Sequence, residues 1–106
     1  MDIKKVRPEI TKYLSKLKNK ISIAEVLLYG SYATNTARED SDVDLLVISK
    51  DFKNMGDDKR IEVLYTNSLG FPYDLHVYGL TPSEYLTASP LTSLGAIRTS
   101  KTIKIM

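Results

Sequence analysis

Apolar side chains at Ile10, Leu14, Leu17 and Ile21 fall three or four residues apart, the spacing of one face of a helix. Pro8 suits a first helical turn, so the pattern predicts an amphipathic helix from Pro8 to about Lys20 with a basic exposed side. The period then changes. "ISIAEVLLYG" (21–30) is rich in β-branched and aliphatic residues and stops at Gly30, as a buried strand running into a turn does. Ser31 to about Thr36 suits a short helix. "DVDLLVIS" (42–49) predicts a second strand, and its near-continuous apolar half suits a central place in a sheet. Lys50 to Asp58, with Asn54 and Gly56, reads as a loop. From about Asp57 to Ser68 a helix presents Ile61, Leu64 and Tyr65 on one side, and Gly70 to Pro72 ends it. "YDLHVYG" (73–79) alternates as a third strand. "TPSE" at Thr81 to Glu84 is a capping box with proline at the first helical position, predicting a helix to about Ala88. A further short helix is expected after Pro90, and the closing "KTIKIM" reads as an edge strand whose lysines discourage further pairing.

That order, αβαβαβαα(β), is an α/β arrangement: helices flanking a small three- to four-stranded mixed sheet. At 106 residues the chain has room for one core, so a single domain over 1–106 is the expectation. The formal net charge of +2 is too small to argue for nucleic-acid binding, which is not expected here. The first twenty residues are more basic, with seven lysines and arginines against Asp2 and Glu9. Such a face is ordinarily solvated surface. The chain has no cysteine, which removes disulfides, CxxC zinc sites and thiol catalysis together. No apolar stretch approaches the length of a membrane span, and the N-terminus lacks the apolar core of a signal peptide, so a soluble cytoplasmic protein without a membrane partner is expected.

Glu39, Asp40, Asp42 and Asp44 crowd into six positions just before an apolar strand, where repulsion and desolvation both oppose folding. Either solvent or a cation must neutralise them. Alternation along a strand points Asp42 and Asp44 the same way, and two such carboxylates can seat one or two Mg2+ ions. Asp-x-Asp alone is more often a solvated strand end. Gly30-Ser31 strengthens the case, because glycine after a strand and a serine opening a helix bring backbone N–H groups and a hydroxyl to a place where phosphate oxygens are held well. Asp74, near the start of the third strand, is a third carboxylate that could share a metal or take the proton of an attacking hydroxyl. Its bland alternative is a solvent-facing residue of an alternating strand. His76 is the sole histidine and shares the face of Asp74, but a lone strand histidine is usually a partly buried polar side chain, and it is set aside.

With these residues in place, "GSYATNTAREDSDVDLLV" followed by a lone aspartate on a later strand resembles the DNA polymerase β-type nucleotidyltransferase superfamily, and within it the minimal nucleotidyltransferases that pair with HEPN-domain toxins. The resemblance covers nearly the whole chain and implies a polymerase β-like palm. It implies that Gly30 and Ser31 hold the phosphates of ATP, that Asp42 and Asp44 bind two divalent ions, Mg2+ by expectation, and that Asp74 is the third acid of the metal set and helps activate the acceptor. The implied reaction is attack of a hydroxyl on the α-phosphorus of the nucleotide with loss of pyrophosphate. In the toxin-neutralising branch the acceptor is a tyrosine of the HEPN ribonuclease partner.

Relatives usually read Gly-Ser-x-Ala-Arg-Gly, whereas this chain has Thr34 and Asn35 at the last two positions. Asparagine can take the left-handed turn that glycine would fill, while the missing arginine removes a contact to phosphate or partner. Two other functions compete with the adenylylating antitoxin. One is a catalytically silent module that neutralises its partner by binding alone; the other is transfer to RNA ends or to a small molecule such as an aminoglycoside. Homo-oligomerisation is left open by the sequence.

Overall fold

The computed structural model describes residues 3–38, 41–87 and 101–106. Helix α1 (Ile3–Leu17) opens the chain and carries Pro8 inside it, so it begins five residues before the proline that was expected to start it. Proline there forfeits a backbone hydrogen bond, but Val6 and Ile10 lie one turn apart on the core side with no exposure, and their burial offsets the loss. Strand β1 (Glu25–Tyr29) follows, then a 3-10 turn over Gly30–Tyr32 and strand β2 (Val43–Ile48).

The segment read as a loop after β2 contains a 3-10 helix, Lys50–Asn54, opened by Ser49, whose hydroxyl accepts from the N–H of Asp51 at 3.1 Å. Its one apolar residue explains it: Phe52 is fully buried and pulls an otherwise polar stretch onto the core. Helix α2 (Asp57–Thr66) leads to strand β3 (Leu75–Leu80), and α3 (Pro82–Thr87) starts at the predicted capping box. There Thr81 N–H donates to Glu84 Oε1 at 2.8 Å and Glu84 N–H to Thr81 Oγ1 at 3.1 Å. The helix expected after Pro90 lies outside the described residues. Strand β4 (Ile103–Lys104) takes the edge position expected of the C-terminal segment.

The four strands form one mixed sheet in the order β3-β2-β1-β4. β1 pairs antiparallel with β2 and β4, and β2 pairs parallel with β3. β2 is therefore interior, as its apolar run predicts. Val43, Leu45 and Val47 face the larger core with Val6, Ile10, Leu17 and Leu64 from the two long helices. Tyr13 adds a polar tie, its hydroxyl donating to the carbonyl of Leu64 at 2.7 Å. Leu46 and Ile48 face the other way, in a second cluster with Leu27 and Leu80. By alternation, Asp44 belongs to this second face.

Candidate active site

Two backbone features bring the site together. The first is the turn after β1. Gly30 has φ +74°, a conformation that costs other L-residues about 1–2 kcal/mol, and a side chain there would run into the carboxylate of Asp44. Only glycine lets the turn lie against that acid. Hydrogen bonds from Ala33 and Thr34 N–H to the Gly30 carbonyl, 3.1 and 3.2 Å, and from Thr36 N–H to Ser31, 2.9 Å, close the turn. Asn35 sits at φ 60°, the left-handed position for which the sequence offered asparagine in place of glycine. Buried Tyr32 anchors the turn in the core.

The second feature is strand register. Tyr29 on β1 stands opposite Asp44 on β2, and Asp44 stands beside His76 on β3, so the three form one row across the sheet. Asp42 and Asp44 do point the same way: His76 Nε2 lies 3.7 Å from Asp42 Oδ2 and its Nδ1 lies 3.7 Å from Asp44 Oδ1. The histidine set aside on sequence grounds thus bridges the two carboxylates. No local signal marks it, because its place depends on the pairing of β2 with β3.

Electrostatics follow burial. The Asp44 side chain is 18% exposed; burial pushes its carboxyl above the ordinary value, His76 pulls it back, and the like charge of Asp42 pushes it up again. Across the row, burial raises the Tyr29 phenol, with Asp44 and nearby tyrosines adding to the effect. Asp74 immediately precedes β3, and its carbonyl accepts from Val43 N–H at 2.8 Å. Its side chain is exposed. Among the described residues, no three His, Cys, Asp or Glu side chains gather closely enough to hold one metal ion in these positions. Glu39 and Asp40 lie outside the described residues. The structure thus brings Gly30, Asp42 and Asp44 together, sets Ser31 in the adjoining turn, adds His76, and leaves Asp74 at the margin.

Chemically, Asp42 and Asp44 offer hard oxygen donors, and among the described residues the basic side chain within ion-pair distance of them is a histidine. That donor set suits a divalent ion such as Mg2+. The turn beside it sets its glycine directly against one of those carboxylates.

The nucleotidyltransferase domain model matches residues 9–103. The chain belongs to that family. This nucleotidyltransferase is 37% identical over 99 residues to a Methanocaldococcus jannaschii protein named "putative protein adenylyltransferase". The match covers 92% of this chain and 65% of that protein, so the chain spans about two thirds of the relative's length. Its fold is that of a crystal structure described as a "putative nucleotidyltransferase" from Sulfolobus solfataricus, TM-score 0.70 at 17% identity, covering 94% of this chain and 78% of that one. A toxin–antitoxin structure with AMP-PNP gives TM-score 0.65 at 19% identity, covering 94% and 72%. These distant likenesses bear out the α/β fold, and the family match bears out the resemblance to minimal nucleotidyltransferases. Among the described residues, no helix is long and apolar enough to cross a membrane.

Proposed function

We propose that this nucleotidyltransferase transfers AMP from ATP to a tyrosine hydroxyl of a partner protein, a HEPN-domain toxin, and thereby acts as its antitoxin. The observation that carries the reading is the close approach of the Gly30 turn to the Asp44 carboxylate, which sets the turn assigned here to phosphate beside an acid assigned here to metal. The name of the M. jannaschii relative supports a protein acceptor, and the toxin–antitoxin neighbour with a bound ATP analogue is consistent with both nucleotide and partner.

In this reading Gly30 and Ser31 orient the triphosphate through the backbone of the turn and the serine hydroxyl. Asp42 and Asp44 would hold Mg2+, with Asp74 as the third acid on turning in from the margin of the site. Bound there, the metal would neutralise charge on the phosphate and favour ionisation of the acceptor hydroxyl. The phenol oxygen forms a bond to the α-phosphorus as the bond to the β-phosphate bridging oxygen breaks. Pyrophosphate departs, and the phenolic proton passes to a carboxylate oxygen of Asp74. Burial of Asp44 strengthens every electrostatic interaction it makes. The same burial raises the pKa of its carboxyl, with the like charge of Asp42 adding to it.

The test is incubation of the purified protein with labelled ATP, Mg2+ and a HEPN-domain partner, read by intact mass and peptide mapping. AMP on a partner tyrosine, lost in Asp42→Asn and Asp44→Asn, is the expected result. A stable complex in which neither wild type nor variants modify the partner would instead mark a binding module.

A further inference from the structure

A groove of about 580 Å3 runs along the outer edge of β3, within the range of about 300–1,000 Å3 typical of ligand sites. His76, Tyr78 and Leu80 line it from the strand, with Ile61 and Tyr65 from α2. Tyr78 and Ile61, which line the groove from the strand and from the helix, are 50% and 53% exposed, so the groove carries large side chains with unburied surface on both walls. At one end stands His76, within 3.7 Å of both Asp42 and Asp44. The groove therefore ends at the histidine that touches the carboxylates.

We propose that this groove receives the acceptor tyrosine of the partner protein together with basic side chains flanking it; the inference rests on the transfer reaction proposed above. Three observations select this occupant. In-line displacement puts the attacking and leaving oxygens on opposite sides of phosphorus. The Gly30 turn, which would hold the departing phosphates, lies on the β1 side of Asp44, so the acceptor must come from the β3 side, where the groove lies.

Charge is the second observation. Arg60 is committed to Glu84, its Nη1 2.7 Å from Oε1, which leaves Asp57 as the acid of the groove wall with no ion pair among the described residues. A basic side chain beside the tyrosine complements it. The third observation concerns the strand edge. Val77 N–H donates to Tyr65 Oη at 3.1 Å and the Gly79 carbonyl accepts from Arg60 Nη1 at 3.1 Å. Side chains of α2 thus occupy backbone groups that an added β-strand would need. An occupant has to enter by its side chains, as an inserted tyrosine does.

The test measures steady-state transfer of AMP to the HEPN-domain partner in Ile61→Lys and Asp57→Lys, neither of which belongs to the carboxylate or phosphate-binding machinery. Both sites are exposed helical positions, and unchanged circular dichroism would establish folding. The KM for the partner should rise about tenfold or more in Ile61→Lys, from lost apolar contact and added repulsion, and by a smaller factor in Asp57→Lys, with the KM for ATP unchanged in both. Unchanged partner KM with active wild type would overturn the groove and leave the transfer reaction standing. A raised KM for ATP alone would give the groove to the nucleotide and also overturn the proposal. Wild type that labels no partner tyrosine would bring down the transfer reading and the groove with it.

Discussion

Gly30→Ala separates what the turn does for stability from what it does for chemistry. At φ +74° the new residue costs about 1–2 kcal/mol in backbone strain. Its methyl would stand 3.1 Å from Asp44 Cγ and collide with Oδ2. The obstructing atoms end a side chain, so the carboxylate can rotate aside for about 0.5–1.5 kcal/mol more. The total remains below the stability of about 5–15 kcal/mol usual for a domain, and the variant should fold. The displaced carboxylate is another matter, since a misplacement of about 1 Å at a reacting centre can cost a hundredfold in rate. Gly70→Ala is the matched control: φ is +88° and nothing lies within 4 Å of an added methyl. It should lose about the same 1–2 kcal/mol and keep full activity. Denaturant unfolding would give both stabilities, and AMP transfer to the partner, normalised to folded protein, both rates. Gly30→Ala at wild-type activity would refute the claim that the turn positions Asp44.

Arg60 should be the costliest surface-edge residue to truncate. Its guanidinium donates to the carbonyls of Met55, Gly79 and Phe52, pairs with Glu84 and lies 5.6 Å from the centre of the Phe52 ring; Arg60→Ala should lose about 3–5 kcal/mol in urea unfolding, and a loss below 1 kcal/mol would contradict this picture. Asp44→Asn should abolish transfer yet stabilise the fold at neutral pH. The carboxyl of Asp44 is raised above its ordinary value, so its neutral form favours folding at low pH and that contribution is lost as pH rises through the folded-state pKa. The stability advantage of asparagine should therefore be largest at neutral pH and vanish in acid, which a pH series of denaturation curves would read. An advantage that grew on acidification would show that burial does not dominate this site.

What the sequence made legible is whatever one segment decides by itself. The run of β2 is apolar on both faces because it is interior, and the Asp42–Asp44 spacing places two acids on one face whatever the strand pairs with. Asn35 could be assigned to a left-handed turn because few other residues tolerate one. Local rules failed where distant burial outweighs them: Pro8 marks a helix start by propensity, yet Val6 draws the helix further back, and Phe52 organises a segment that otherwise reads as loop.

His76 was illegible for a different reason. Alternation puts it on the face of Asp74, but its place between Asp42 and Asp44 is set by parallel register between two strands joined through α2. A shift of that register by one residue would turn His76 to the opposite face of the sheet. The same register puts Tyr78 beside Leu46 and turns the edge of β3 into one wall of a groove shared with α2. In the reading proposed here, the phosphate half of the site belongs to one continuous stretch, from Gly30 to Asp44. The proposed acceptor half exists only once the sheet has formed, so changes on α2 and β3 should alter the choice of acceptor while the turn and its two carboxylates stay unchanged.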